Sequence, residues 1–401
     1  MFRLLLLAIL LAGCASDPEK IYKPAPSSPS YPVTVSWAHK LQEIGQDKFT
    51  RLVPAVTDQF VLVADIAGNL SKYKIDDGGL IWSKSFGTTF SAGPIVYGDV
   101  VLVGSKKAEV MSVSLETGDT IWKQTVSSEV LAPPQKSGNM IVVQTNDEKM
   151  FGLNAETGNK VWVYDRNVPL LTLRGNSTPV IANDQVFAAF ASGKVIALAL
   201  SDGKLVWEST VSLPKGRTEL ERLIDVDGPV VYENGVLYVS AYRGRVAAID
   251  ASSGRIMWTR EMSSHLGVTV SGSYVYLTDS QGRVWSLNRE SGATLWMQDK
   301  LAELANTLPA VQGDRVIVGD VTGEVYWLDK NDGRLMGHLA HDIVSKISRA
   351  TFYVDELEDP GYFKQRRDET SVIFQANVTA KNIFVTYQNG ILASISAVES
   401  K

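Results

Sequence analysis

One short phrase recurs along the chain and constrains its fold more than any other feature. It is a glycine-containing turn followed four residues later by tryptophan, as in LNAETGNKVW at residues 153–162. A seventh copy keeps Gly333 but carries Gly337 where tryptophan is expected. Copies recur about every 40 to 50 residues, a period that indicates propeller blades or a helical array. The six complete glycine–tryptophan pairs are Gly78/Trp82, Gly118/Trp122, Gly158/Trp162, Gly203/Trp207, Gly254/Trp258 and Gly292/Trp296.

The segments before each phrase favour strands over helices. Two runs rich in valine, isoleucine and tyrosine precede each copy, such as DQVFAAF and GKVIALALS before Gly203. Glycine, asparagine or aspartate bounds these runs, which is typical of β-strands. A shorter apolar segment after proline comes earlier still, as at Pro179 and Pro229. With the tryptophan strand, the pattern predicts four antiparallel strands per unit, as in a propeller blade.

The spacing within the phrase has a physical reason. Glycine adopts positive φ in a tight turn without penalty, and a residue four positions along an extended strand keeps a fixed face. We expect each tryptophan to bury its ring against an adjacent blade, with about 3–5 kcal/mol lost on truncation to alanine. The copy with Gly337 therefore predicts a weaker contact. The residue before each tryptophan is also apolar, so we expect both faces of this strand to be packed, at Ile81, Ile121, Val161, Val206, Met257, Leu295 and Met336.

The two ends of the chain complete one further unit. Residues 371–397 supply three strands and stop without a fourth, whereas residues 33–40, VTVSWAHK, form a lone strand with Trp37. Pairing them covers strand edges that would otherwise be exposed. The prediction is an all-β protein whose domain spans residues 33–398. It is an eight-bladed β-propeller of four-stranded antiparallel blades, closed by the N-terminal strand joining the last blade.

The first 32 residues predict export and attachment to a membrane. MFRLLLLAILLAGC has one early basic residue and an apolar run too short to span a bilayer, which reads as a signal peptide over residues 1–13. The segment that ends at Cys14 resembles the bacterial lipobox, which implies acylation of Cys14. Because Ala15 and Ser16 follow, the sorting rule implies the periplasmic face of the outer membrane. Residues 14–32, rich in proline and serine, predict an extended tether that reaches about 55 Å.

Charge and composition exclude several classes of function. The formal net charge is −5, without a long basic run, so a nucleic-acid partner gains no support. The only cysteine is Cys14, and the four histidines, at positions 39, 265, 338 and 341, are scattered. We find no spacing typical of a catalytic, phosphate-binding or metal site. The segment DVDG at residues 225–228 resembles the start of a calcium loop but lacks its third acidic position and distal glutamate.

Two resemblances carry the functional hypothesis. The phrase D/ETGxxxW resembles the repeat of pyrroloquinoline-quinone (PQQ) dehydrogenases, which implies a propeller but carries no chemistry by itself. With the lipobox and the tether, the whole chain resembles the BamB family, propeller lipoproteins of the machinery that assembles outer-membrane β-barrels. This implies a non-catalytic, cofactor-free scaffold, monomeric alone, that binds the periplasmic domains of the barrel subunit BamA. Alternatives are a small PQQ-dependent enzyme and a chaperone-like binder of unfolded β-barrel clients.

Partner binding is expected where insertions break the repeat, since the strands themselves are committed to packing. Residues 167–179 join the third and fourth blades, and residues 213–229 join the fourth and fifth. Both should lie on the same face in adjacent sectors. An internal pairing of Arg174 with the aspartates is the alternative to an interface. The resemblance extends to the motifs LTLRG and DVDG, which contact BamA in the family, and it implies that the partner-binding residues are Leu171, Leu173, Arg174, Asp225 and Asp227.

A third insertion, at residues 339–369, is far longer than ordinary connections between strands. It carries an acidic block and then a basic block around Pro360 and Gly361. The sequence leaves open whether this segment is a mobile loop or a second contact surface.

Overall fold

The computed structural model describes residues 33–41, 52–166, 177–213, 226, 228–340, 376–379, 381–387 and 390–397. Within these ranges the chain forms 32 strands in eight four-stranded antiparallel sheets. None of the described residues belongs to a helix long and apolar enough to cross a membrane. This architecture confirms the predicted all-β propeller with eight blades.

Blades 1 to 4 follow one another along the chain. Blade 1 contains β2 (Ala55–Val56), β3 (Phe60–Ala64), β4 (Asn69–Lys74) and β5 (Leu80–Ser85). Blade 2 contains β6 (Phe90–Tyr97), β7 (Val100–Ser105), β8 (Glu109–Ser114) and β9 (Thr120–Thr125). Blade 3 contains β10 (Gln135–Ser137), β11 (Met140–Gln144), β12 (Met150–Asn154) and β13 (Lys160–Tyr164). Blade 4 contains β14 (Val180–Ala182), β15 (Gln185–Ala189), β16 (Lys194–Ala199) and β17 (Leu205–Thr210).

Blades 5 to 8 continue the series, and the last one combines both ends of the chain. Blade 5 contains β18 (Val231–Glu233), β19 (Val236–Ser240), β20 (Arg245–Asp250) and β21 (Ile256–Glu261). Blade 6 contains β22 (Thr269–Ser271), β23 (Tyr274–Thr278), β24 (Val284–Asn288) and β25 (Thr294–Gln298). Blade 7 contains β26 (Ala310–Gln312), β27 (Arg315–Gly319), β28 (Val325–Asp329) and β29 (Leu335–Leu339). Blade 8 contains β30 (Asn377–Val378), β31 (Asn382–Thr386), β32 (Ile391–Ala397) and β1 (Val33–Lys40).

The ring closes through both the innermost and the outermost strands. The first strand of a blade contacts the first strand of the next, as β14 does with β18, and the contact of β30 with β2 completes the circle. On the outside, β1 pairs antiparallel with β32 along its whole length, from Val33 opposite Ala397 to Lys40 opposite Ile391. The predicted closure by the N-terminal strand is therefore confirmed. The apolar core lies in clusters between neighbouring blades, such as the one shared by blades 4 and 5.

The repeated phrase builds the contact between one blade and the next. The indole N–H of Trp162 in blade 3 donates to the carbonyl of Leu200 in blade 4 at 2.9 Å. The ring of Trp162 covers Gly203, where a Cβ would lie 2.6 Å from Cε3 of the indole. Seven tryptophans make this contact, each with the turn before the fourth strand of the next blade: Trp37, Trp82, Trp122, Trp162, Trp207, Trp258 and Trp296. Glycine is thus required by the positive φ of the turn and by the ring above it.

The expectation that both faces of the tryptophan strand are packed is wrong for six of the seven copies, whereas Met336 in the seventh copy is partly buried against the cluster of blades 7 and 8. A β-bulge places two residues of this strand opposite one partner, so that in blade 3 Trp162 faces Gly152 while Lys160 faces Leu153. The extra residue, Val161, is thereby turned to solvent. Six such residues are about half exposed: Ile81, Ile121, Val161, Val206, Met257 and Leu295.

The two faces of the ring differ in their connections. Turns between the second and third strands share one face with the segments that link consecutive blades, as the bond from Phe86 N–H to the carbonyl of Gly68 shows. We call this side the connecting face. The remaining turns occupy the opposite face, where Ile75 N–H donates to the carbonyl of Gln59. The linking segments at 167–179 and 213–229 join consecutive blades, so their described ends lie on the connecting face. Below, their parts at residues 167–176 and 214–227 are called the two insertions.

Candidate partner-binding face

The residues predicted to bind a partner lie outside the described part of the chain. This applies to Leu171, Leu173, Arg174, Asp225 and Asp227. It applies as well to the predicted lipidation site Cys14, to His341 and to most of the segment 339–369. The structure does describe the residues at both ends of the first two insertions, and these define where each insertion leaves and rejoins the propeller.

The two insertions end side by side. The hydroxyl of Ser177, which follows the first insertion, donates to the carbonyl of Gly228, which follows the second, at 2.7 Å. A second bond runs from Val230 N–H to the carbonyl of Thr178 at 3.0 Å. Ser177 leads into β14 of blade 4 and Gly228 leads into β18 of blade 5. The ends of the two segments therefore meet where blades 4 and 5 adjoin.

The second insertion is fixed to the core at one point before its end. Val226, between the predicted contact residues 225 and 227, is buried in the apolar cluster of blades 4 and 5 beside Val211 and Val230. Gly228 packs against Gly267 of the next connection, where a Cβ on Gly228 would lie 2.3 Å from the Cα of Gly267. These contacts place the backbone on both sides of residue 227.

A charged side chain marks the start of the first insertion. The guanidinium of Arg166 lies over the ring of Phe190 at 4.5 Å, and its Nη2 donates to the hydroxyl of Ser192 at 3.4 Å. Both partners belong to the turn between β15 and β16 of blade 4. The segment thus leaves blade 3 while already fastened to blade 4.

A buried carboxylate, Glu148, lies between blades 3 and 4, close to Arg166. Oε1 of Glu148 accepts the N–H of Ala191 at 2.9 Å, while Oε2 has no hydrogen-bond partner among the residues that the structure describes. Burial raises the pKa of Glu148, and the bond from Ala191 and the positive charge of Arg166 act against this rise. Burial disfavours the charged form of a carboxyl group, so this environment favours protonation of Glu148.

Side chains of interface type, exposed or half-buried, lie beside Ser212 and Leu213, where the chain enters the second insertion. Leu213, the last described residue before it, has 68% of its surface exposed. In blade 5, Arg243 lies 5.4 Å from the ring centre of Tyr242, which meets His265 edge-on at 6.4 Å. Tyrosine, arginine and exposed apolar side chains are enriched in protein interfaces. This part of the connecting face has the composition of a protein-binding surface.

Sequence reasoning did not single out the residues that fasten the two insertions, namely Arg166, Ser177 and Val226. A signal for Ser177 was present, since Ser91 occupies a related place in blade 2 and donates to the carbonyl of Val130 at 2.7 Å. Burial of Val226 has no such signal, because its apolar neighbours come from other blades. Among the described residues, no group of three or more histidine, cysteine or acidic side chains could hold a metal ion.

Comparison with known proteins relates the chain to one family. The family model described as "Outer membrane protein assembly factor BamB" matches residues 67–298 and 280–340. Curated proteins of that name are similar in sequence. The one from Pseudomonas aeruginosa is 44% identical over 337 residues, covering 83% of this chain and 89% of the relative. The one from Escherichia coli K12 is 32% identical over 347 residues, covering 83% and 88%.

Solved structures share the fold at low sequence identity. BamB from Moraxella catarrhalis matches with a TM-score of 0.76 and 24% identity, over 91% of this chain and 99% of that one. A quinohemoprotein alcohol dehydrogenase from Pseudomonas putida matches with a TM-score of 0.64 and 10% identity, over 92% of this chain and 77% of that one. These two matches show the propeller alone. On the family model and the curated relatives, the chain belongs to the BamB family of outer membrane protein assembly factors.

Proposed function

We propose that this chain is a non-catalytic scaffold in the assembly of outer-membrane β-barrel proteins, and that its connecting face binds the periplasmic domains of BamA. The observation that carries the proposal is the bond from Ser177 to the carbonyl of Gly228. It brings together the ends of the two insertions that interrupt the repeat. Membership of the BamB family, whose relatives are named assembly factors, supports the process.

The proposed contact surface has an apolar and a charged part. Leu171 and Leu173 supply apolar anchors, with Arg174 beside them, and Asp225 and Asp227 supply acceptors for a basic or amide-rich partner surface. Exposed Leu213 and the Tyr242 ring extend this surface. A central apolar patch rimmed by charge is the usual arrangement of interfaces whose binding energy is concentrated in a few residues.

Binding of single-residue variants to the purified periplasmic region of BamA tests this surface. Arg174→Ala and Asp227→Ala should each weaken binding without lowering the melting temperature. Arg334→Ala and Asp332→Ala are matched controls, because this exposed pair lies on the opposite face, 4.0 Å apart. Unchanged affinity in the first two variants, with a wild-type protein that binds, would place the interface elsewhere.

We propose further that residues 1–13 are a signal peptide, that Cys14 carries the lipid and that residues 14–32 are the tether. Strand β1 begins at Val33 on the face opposite the connecting face, because its other end leads towards β2 on the connecting face. A tether joined there leaves the proposed contact surface unobstructed. Membrane fractionation tests this: Cys14→Ser should move the protein from the outer membrane to the soluble periplasm.

The two alternative functions have their own tests. Capture of client strands by addition to a blade edge is disfavoured by the bulge found in the outermost strand of each blade, since bulges disrupt the regular edge that a new strand needs.

A PQQ-dependent enzyme would be stabilised against heat by PQQ with Ca²⁺ and would reduce a redox dye. We expect neither effect.

A further inference from the structure

We propose that Ser177 is a positioning residue for partner binding. It belongs to a group of four residues, Ser177, Val226, Gly228 and Gly267, which we call the clamp. The clamp holds the described ends of the two insertions together and thereby prepares both insertions to contact one partner. This inference rests on the proposed function and adds the residue that prepares the surface without touching the partner.

The bond at the centre of the clamp is inaccessible to water. Ser177 has 1% of its surface exposed, and its hydroxyl donates to the carbonyl of Gly228 at 2.7 Å. Removal of the hydroxyl would leave a buried carbonyl without this donor, which is the unfavourable case for a hydrogen-bond deletion. The bond joins residues 51 positions apart. Together with the bond from Val230 N–H to the carbonyl of Thr178, it links the ends of the two insertions directly.

The remaining members of the clamp fix the described backbone on either side of position 227. Val226 is buried among Val211 and Val230, which fixes the chain before this residue. Gly228 lies against the backbone of Gly267, so close that no side chain would fit between them. Since Gly228 also accepts the bond from Ser177, a shift of the second insertion at this point would break a contact with the first.

The clamp should raise the affinity for the partner because it holds the ends of the two insertions together before binding. A partner that contacts both insertions must hold each of them in place, and ordering of loops and side chains opposes association. If the two contact segments are held together at their ends, binding of the first places the second at a high effective concentration near the partner. Loss of the clamp should leave the contact residues of each insertion unchanged but lower the affinity with which the two insertions together bind the partner.

The chain offers a matched control for this bond. Ser91, also fully buried, donates to the carbonyl of Val130 at 2.7 Å, linking blade 2 to the connection that enters blade 3. It is the same type of bond, on a buried serine, and it lies away from both insertions. A purely structural effect of serine removal would appear equally in Ser177→Ala and Ser91→Ala.

The experiment compares these two variants in thermal unfolding and in affinity for the purified periplasmic region of BamA. We expect similar decreases in melting temperature, but an affinity loss of roughly three- to tenfold only in Ser177→Ala, the range that corresponds to one hydrogen bond. A Ser177→Ala protein that folds and binds as well as Ser91→Ala overturns the inference. If neither variant nor the wild type binds BamA, the proposed function itself fails.

A double-mutant cycle separates positioning from general weakening. In the wild type, Arg174→Ala and Asp227→Ala should be non-additive in their effect on affinity, because the two residues act on one surface. In the Ser177→Ala background their effects should become additive. Equal coupling in both backgrounds contradicts a positioning role, even where Ser177→Ala lowers the affinity.

Discussion

Trp327 lies directly opposite Gly337 across the paired strands β28 and β29 of blade 7. In blades 3 to 5 the sizes are reversed, with Trp162 opposite Gly152, Trp207 opposite Ala197 and Trp258 opposite Ala248. The reason lies in blade 8, where β32 and β1 are the two ends of the chain and no glycine turn connects them. A tryptophan at position 337 would have no turn to cover, and Trp327 instead fills the cluster between blades 7 and 8.

This exchange changes what we expect of the seventh blade. The sequence predicted weaker packing around Gly337, yet Trp327 is 1% exposed there and Gly337 itself is buried. We now expect hydrogen-exchange protection of residues 334–337 to equal that of residues 255–258 in blade 5. Trp327→Ala should lower the free energy of unfolding by about 3–5 kcal/mol. Faster exchange at 334–337 in the wild type would restore the original expectation.

The glycine beneath each tryptophan should tolerate no side chain. Gly203 has φ of 70°, and a Cβ there would lie 2.6 Å from the ring of Trp162. Gly138 has φ of 53° but open space around the same position. Chemical denaturation of Gly203→Ala should therefore show the conformational penalty of about 1 kcal/mol plus a clash, and Gly138→Ala the penalty alone. Equal losses would mean that the ring moves aside freely.

The bulge residues should contribute little to stability despite their apolar side chains. Val161 is about half exposed, whereas Val143 of the same blade is fully buried. We expect Val161→Thr to change the free energy of unfolding by less than about 0.5 kcal/mol, and Val143→Thr to lower it by about 1–3 kcal/mol. Denaturant titration of both variants measures the difference. A large loss in Val161→Thr would indicate that the residue is covered in solution.

Glu148 should make stability depend on pH. Because burial raises its pKa in the folded state, the folded protein binds this proton more tightly than the unfolded chain does. Its contribution to stability is therefore complete below the usual glutamate range and decreases as pH rises towards the folded-state pKa. Glu148→Gln should flatten this part of the profile of unfolding free energy against pH. Glu156→Gln, in an exposed turn, is the control and should keep the wild-type profile.

The sequence by itself determined the number of blades and the way the ring closes. Seven glycine turns, six of them followed by tryptophan, and the lone strand with Trp37 were sufficient, because each phrase is one unit that cannot bury its tryptophan alone. The strands predicted at residues 33–40 and within residues 371–397 pair as expected. Each phrase lies within about ten consecutive residues, so it can be recognised in the sequence without information on the neighbouring blades.

Only the tertiary structure decided which apolar residues are buried and what holds the two insertions together. The half-exposed Val161 and the buried Val226 are the same residue type, and the difference between them comes from a bulge in one strand and from side chains of two blades around the other. The bond from Ser177 to Gly228 joins the ends of two segments that interrupt the sequence repeat. Burial and long-range hydrogen bonds depend on contacts between blades, and those contacts exist only once the ring has closed.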